Sequence, residues 1–129
     1  MGMGRLRLDL WLPPLLLMVV IFAFSAQPSL NSGLGLIDHI GRKVIHFAEY
    51  GLLCFLWWRA LRDVTNERRA VLLAFVLASG YAITDEFHQT FVEGRHGTPV
   101  DWLIDAAGAL TAALLIRRWL RSRAPQVAA

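Results

Sequence analysis

The sequence predicts an all-α, polytopic membrane protein: a four-transmembrane-helix bundle with its N- and C-termini cytoplasmic. Three observations predict it. Of the 129 residues, 56% are hydrophobic and 18% are charged, against about 25% charged in an ordinary soluble domain. The apolar residues run in four blocks instead of alternating with polar ones, as expected where the bilayer is the solvent. Finally, 10 of the 13 Lys and Arg fall on one side of a four-span layout, and such asymmetry sets orientation. Mean hydropathy is +0.46, and a chain of this length is read as one domain, residues 1–129.

The first span is expected over roughly 11–26, with Pro13 and Pro14 near its start, where proline is tolerated. A rival reading is a cleaved signal peptide, with Arg5 and Arg7 ahead of the apolar stretch and small residues at Ala23 and Ser25. The length of the run and Pro28 just beyond it disfavour cleavage. Residues 27–43 form a loop with Gly33, Gly35 and Gly41, expected along the outer interface. The second span, 44–61, carries His46 and Glu49 in its opening turns, and the third covers 70–91. In the loop before the fourth span, Thr98 reads as an N-cap, Pro99 as the first helical residue and Asp101 as the acidic partner. The fourth span, 102–120, is rich in alanine. Gly108 and Ala112, with Ala109 and Ala113, offer a face for close helix approach in lipid. Several runs are short for a span of about 17–25 residues, so the helices are expected to extend into the interface.

Charge placement orients this layout. Arg5 and Arg7 precede the first span, Arg59, Arg62, Arg68 and Arg69 lie between the second and third, and Arg117, Arg118, Arg121 and Arg123 follow the fourth. The opposite side holds only Arg42, Lys43 and Arg95. The loops at 27–43 and 88–101 therefore face outward. A net charge of +3 and a pI near 9.8 do not imply a nucleic-acid partner, because the cations flank apolar segments and no basic stripe interleaves with aromatics. Trp57, Trp58, Trp102 and Trp119 are expected in aromatic belts. The lone Cys54 sits in an apolar run and is expected to pack as a small hydrophobe. It leaves no disulfide and no thiolate-rich metal site.

The outward side gathers polar residues that a bilayer disfavours. Arg42, His46 and Glu49 share one helix face, and Lys43, His46 and Tyr50 an overlapping one. On the third span Asp85 and Gln89 are a turn apart, Tyr81, Asp85 and His88 align, and Glu86 adjoins them. Asp101 and Asp105 are a turn apart on the fourth. By helix rise, Glu49 lies about 9 Å in from Lys43, Asp85 about 9 Å in from Phe91, and Asp105 about 6 Å in from Asp101. A charge at mid-bilayer costs about 2.5–3.5 kcal/mol on insertion scales, and less near the edge. Acids at one level are therefore expected to share a cavity with each other, with cations or with water. Plainer roles compete: Asp101 as a helix cap, Arg42 and Lys43 as snorkelling anchors, Asp105 as a structural partner of Arg95, and His39, His88 and His96 as solvated side chains. Glu49 with His46, and the Asp85–Glu86 pair, are hardest to explain that way.

These residues in this order resemble the VanZ-like family of small membrane proteins. The resemblance runs from FSAQPS (Phe24 to Ser29) through K-x-x-H-F-x-E-Y-x-x-L (Lys43 to Leu53). It continues in D-E-x-x-Q-x-F (Asp85 to Phe91), Gly94-Arg95, and Asp101 with Gly108, and covers about four fifths of the chain. Two positions depart from the pattern: Asp105 stands where the family usually has asparagine, and Ala112 where a second glycine is common. The family is named for an accessory protein linked to teicoplanin resistance, which implies a role in the cell envelope. Resistance itself is not carried over to this chain.

The leading expectation is an outward-facing pocket that binds or processes an anionic, lipid-linked envelope component. Helix N-termini on the outer side favour an anion, and Arg42, Lys43, Tyr50, Gln89, Arg95, Asp101 and Asp105 are the candidate binding residues. His46, Glu49, Asp85 and Glu86 are the candidate acid–base residues, since adjacent carboxylates in a poorly solvated cavity separate in proton affinity. The set suits phosphoryl and acyl chemistry alike, and no Ser or Cys is placed as a nucleophile. No cofactor is expected. A divalent metal on His46, Glu49, Asp85, Glu86 and His88 is a secondary reading without a recognised zinc signature. Two other classes are a proton-linked transporter and a structural or regulatory partner of envelope machinery.

Overall fold

The computed structural model describes residues 7–25, 35–91 and 99–123. They form four helices in chain order, α1 (Leu8–Ser25), α2 (Leu36–Leu61), α3 (Glu67–Gln89) and α4 (Pro99–Arg123), and no strand is present among them.

Each helix outruns the apolar block that predicted it at one end or both. The α1 helix begins at Leu8, which places Pro13 and Pro14 inside the helix, beyond its opening turn. Proline removes the N–H that would bond to the carbonyl four residues back, so Pro13 releases the carbonyl of Asp9. The Arg59 guanidinium fills that vacancy at 2.9 Å and ties α1 to α2. The α2 helix begins at Leu36, not near 44, so residues 36–43 are helical where a loop was expected. The apolar stripe Leu36, Ile37, Ile40 and Val44 has helical spacing and faces outward, and it carries the helix past Arg42 and Lys43. Gly35 precedes it at φ +51°, a left-handed conformation that glycine adopts without steric penalty.

The α3 helix starts at a side-chain cap, Asn66 Oδ1 accepting from the Arg69 amide at 2.9 Å, a device worth about 1 kcal/mol. The α4 helix has Pro99 as its first residue, as anticipated. The expected cap Thr98 lies outside the described residues, as do Arg95 and His96.

Contacts between helices fix their directions. Lys43 meets Asp101, His46 meets Asp105, Gly51 meets Gly108 and Trp58 meets Trp119, so α2 and α4 run parallel. Tyr50 reaches Asp85 and Trp58 reaches Glu67, so α3 runs antiparallel to α2. The α1 helix is also antiparallel to α2: its start lies against Arg59, and Met18 and Phe22 lie against Tyr81 and His88. The bundle therefore alternates up and down. Asp9, Arg62, Glu67 and Trp119 mark one end, and Phe22, Lys43, His88 and Asp101 the other.

Small residues set the packing. A Cβ on Gly108 would clash with the Phe47 carbonyl oxygen and lie 2.9 Å from its carbon. A Cβ on Gly51 would lie 3.2 Å from the Gly108 oxygen. The α2 and α4 backbones thus touch, the close approach expected from small residues in lipid. Ala70, Ala74, Ala78 and Ala82 are fully buried at four-residue spacing on α3. Most of the large core side chains, Tyr50, Leu53, Trp57, Trp58 and Leu61, come from α2, with Ile21 from α1 and Ile116 from α4, and Cys54 packs among them as expected.

Trp57 and Trp58 are buried, which corrects the aromatic-belt expectation for them. The Trp58 indole N–H donates to Glu67 at 3.0 Å, whereas that of Trp57 has no hydrogen-bond partner among the described residues. Trp102 is partly buried and donates to the Ser79 carbonyl at 3.1 Å, and of the four Trp119 is the exposed one.

The outer surface is apolar, with Leu15, Val19, Leu72, Val76, Leu110 and Leu114 all exposed. Two helices, α3 and α4, are long and apolar enough to cross a membrane, and Leu8–Phe24 is a shorter apolar helix.

Candidate functional site

The candidate site lies at the end marked by Lys43 and Asp101, and it arises because the inner faces of three helices change character there. On α3 the stripe that is alanine from Ala70 to Ala82 continues as Asp85, Glu86 and Gln89, all buried. On α4 the inner face Ile116, Ala113, Ala109 and Gly108 ends at Asp105. On α2 the face that carries Leu53 and Tyr50 continues to His46 and Lys43.

The geometry has layers. Outermost, Lys43 Nζ pairs with Asp101 Oδ1 at 2.8 Å, each side chain about a third exposed. Deeper, His46 Nδ1 lies 3.4 Å from Asp105 Oδ1, an ion-pair distance without hydrogen-bond alignment. Deepest, Tyr50 OH donates to Asp85 Oδ2 at 3.1 Å. Asp105 is 1% exposed, Asp85 2% and Tyr50 0%. Both Asp105 oxygens, Asp85 Oδ1 and His46 Nδ1 are buried with no hydrogen-bond partner among the described residues. One ligand atom from each of His46, Asp85 and Asp105 falls within 4.8 Å of the others.

Of the anticipated residues, His46, Tyr50, Asp85 and Asp105 converge on this point, with Lys43 and Asp101 above them. Glu86 and Gln89 are buried on the same face of α3. Glu49 and Arg42 are half-buried and stand outside the three-residue cluster. His88 stacks on Phe22 of α1 with ring centroids 4.4 Å apart, so it too stands outside. The anticipated Asp105–Arg95 pair involves a residue outside the described range. Asp101, anticipated as a cap, is engaged with Lys43.

Asp105, expected to share a cavity with the other acids or to pair with Arg95, brings its carboxylate to His46 and Asp85. The signal was present in the four-residue recurrence Asp105, Ala109, Ala113 on α4. Because Ala109 and Ala113 must pack inward, Asp105 must as well.

Chemically, carboxylate oxygens without donors beside a histidine can hold a proton, a cation or the hydrogen-bond donors of a ligand. Burial makes each unmet bond costly, on the order of 1–3 kcal/mol and more for a charged group. No curated protein and no solved structure matches the chain. The sequence profile of the VanZ/LLP1 family matches residues 10–121, a stretch that reaches into all four helices. The chain belongs to the VanZ/LLP1 family.

Proposed function

We propose that this is a multi-pass protein of the bacterial plasma membrane, with four spans and both termini cytoplasmic. Its outward-facing polar pocket binds or processes an anionic, lipid-linked component of the cell envelope. The observation that carries this reading is the set of buried polar atoms on His46, Asp85 and Asp105 that no described residue hydrogen-bonds, beneath the Lys43–Asp101 pair. Lys43, Arg42 and the N-terminal end of α4 supply positive potential at the mouth. Arg95 belongs to the same proposal. His46, Glu49, Asp85 and Glu86 are the acid–base groups, and Tyr50, Gln89, Asp101 and Asp105 orient the ligand.

A purely structural role fits less well. A cluster that served to lock helices together would have its lone pairs satisfied, since half-satisfied buried networks destabilise. A proton relay is also disfavoured, because Leu53, Cys54, Ala74 and Ala78 lie beneath the cluster and carry no relay groups towards the arginine-rich end.

The test places the full chain in lipid nanodiscs and titrates a polyprenyl phosphate, with phosphatidylglycerol as the competing anion, read by native mass spectrometry. Saturable preference for the polyprenyl phosphate is expected, lost in Lys43→Gln and Asp85→Asn while abundance and helicity stay at wild-type levels. Binding that falls only in step with abundance would return the cluster to a structural role.

A further inference from the structure

We infer that His46, Asp85 and Asp105 form a binding site for a divalent first-row transition-metal ion. The inference deepens the proposed pocket and rests on that reading only for what the ion would do, not for whether it binds.

Geometry carries it first. Three helices each deliver one ligand, and the three donor atoms lie within 4.8 Å of one another. Ligands about 2.1 Å from an ion stand about 3.4 Å apart at a tetrahedral angle and about 4.2 Å apart across an octahedron. The His46–Asp105 separation of 3.4 Å meets the first spacing. Separations of up to 4.8 Å close to the second spacing with shifts of about half an ångström and to the first with shifts of about an ångström or more.

Unmet valence carries it second. Asp105 is 1% exposed with neither oxygen hydrogen-bonded by a described residue, and Asp85, 2% exposed, keeps Oδ1 likewise unbonded. Two carboxylates this close in a water-poor setting repel one another, and Lys43 above them is already paired with Asp101, which leaves His46 beside Asp105. Tyr50 OH holds Asp85 through Oδ2 and leaves Oδ1 facing the cluster. An outer hydrogen bond that orients a ligand is a regular companion of metal sites.

The donor set selects the class of ion. One imidazole nitrogen with two carboxylates suits zinc, manganese or ferrous iron better than calcium or magnesium, which prefer all-oxygen shells. Three protein ligands leave coordination positions open. Under the proposed function, one of these accepts an oxygen of the anionic ligand.

The test uses the full chain purified in detergent, stripped with chelator, then loaded separately with zinc or manganese and passed through a desalting column. Retained metal is counted by mass spectrometry, and thermal unfolding is followed by circular dichroism. One equivalent of zinc or manganese is expected, with a higher unfolding temperature than the stripped protein. Asp85→Asn and Asp105→Asn should each weaken retention about tenfold or more, whereas His88→Gln should retain the full equivalent. A monodisperse, helical wild-type protein that retains neither metal overturns the inference, as does equal retention by both aspartate variants. Metal retention without polyprenyl phosphate binding would leave this site standing and remove the proposed ligand, and the converse would do the reverse.

Discussion

The two ends of the bundle handle carboxylates in opposite ways. At the arginine-rich end the described acids Asp9, Asp63 and Glu67 each have an arginine within ion-pair distance, and their side chains are 64%, 37% and 40% exposed. Trp58 and Trp119 add faces on which Arg62 and Arg123 stack. At the opposite end Asp85 and Asp105 are buried and carry oxygens that no described residue bonds. Solvated, paired acids contribute little and demand little. Asp105 has His46 at 3.4 Å and Asp85 has Tyr50 at 3.1 Å, yet both keep buried oxygens that no described residue bonds, and a fold that keeps such acids identifies the end where a ligand is expected. The number of acids does not separate the ends, but their burial and unmet hydrogen bonds do.

The harshest way to break this contrast is to force apart the seam that brings the acids together. Gly108→Val places a branched side chain against the Phe47 backbone, which no side-chain rotation can relieve. The expected loss is about 3 kcal/mol, the upper end for overpacking. It should appear as a collapse in detergent-solubilised yield and unfolding temperature. Near-normal stability in this variant would mean that α2 and α4 are not in backbone contact.

A smaller effect, opposite in sign, is expected from Asp105→Asn in chelator-treated protein. Removing the charge from a buried carboxylate with two unbonded oxygens relieves a penalty on the order of 1–3 kcal/mol. Thermal unfolding should therefore rise or hold while metal retention and ligand binding fall. If stability drops instead, the His46 contact at 3.4 Å is a stabilising ion pair and the end is structural. Tyr50→Phe should move stability less, by about 1 kcal/mol for one lost hydrogen bond. It leaves the fully buried ring in place, so any larger effect on binding reports the freed orientation of Asp85.

Much of this was legible in the sequence, and the portion that was not has physical causes. Blocks of apolar residues predicted four helices, and helical spacing put Lys43, His46 and Tyr50 on one face, where they do meet Asp101, Asp105 and Asp85. The start of α2 was missed because Arg42 and Lys43 interrupt the apolar run, although Leu36, Ile37, Ile40 and Val44 carry the helical stripe through them. Burial of Trp57 and Trp58 was missed because apolar content cannot distinguish a lipid-facing indole from a core one. The position of Glu49 outside the three-residue cluster was invisible for a related reason. Depth along a helix follows from residue number, but which side faces the neighbour depends on where Gly108 and the α3 alanines let the backbones approach.

The finest test lies at the other end, where the least should happen. Glu67 accepts from Trp58 Nε1 at 3.0 Å and from the Arg62 guanidinium at 2.6 Å, with the acid and the arginine 40% and 37% exposed. Glu67→Gln removes the charge yet keeps an oxygen for the indole. An ion pair this exposed is worth about 0–1 kcal/mol and weakens with salt. Unfolding temperature should therefore shift slightly at low ionic strength and not at all in concentrated salt, with metal retention unchanged. A Glu67→Gln effect as large as that of Asp105→Asn, or one that salt does not erase, would mean that both ends use their carboxylates alike. The distinction between a solvated acid and a stranded one would then carry no information about function.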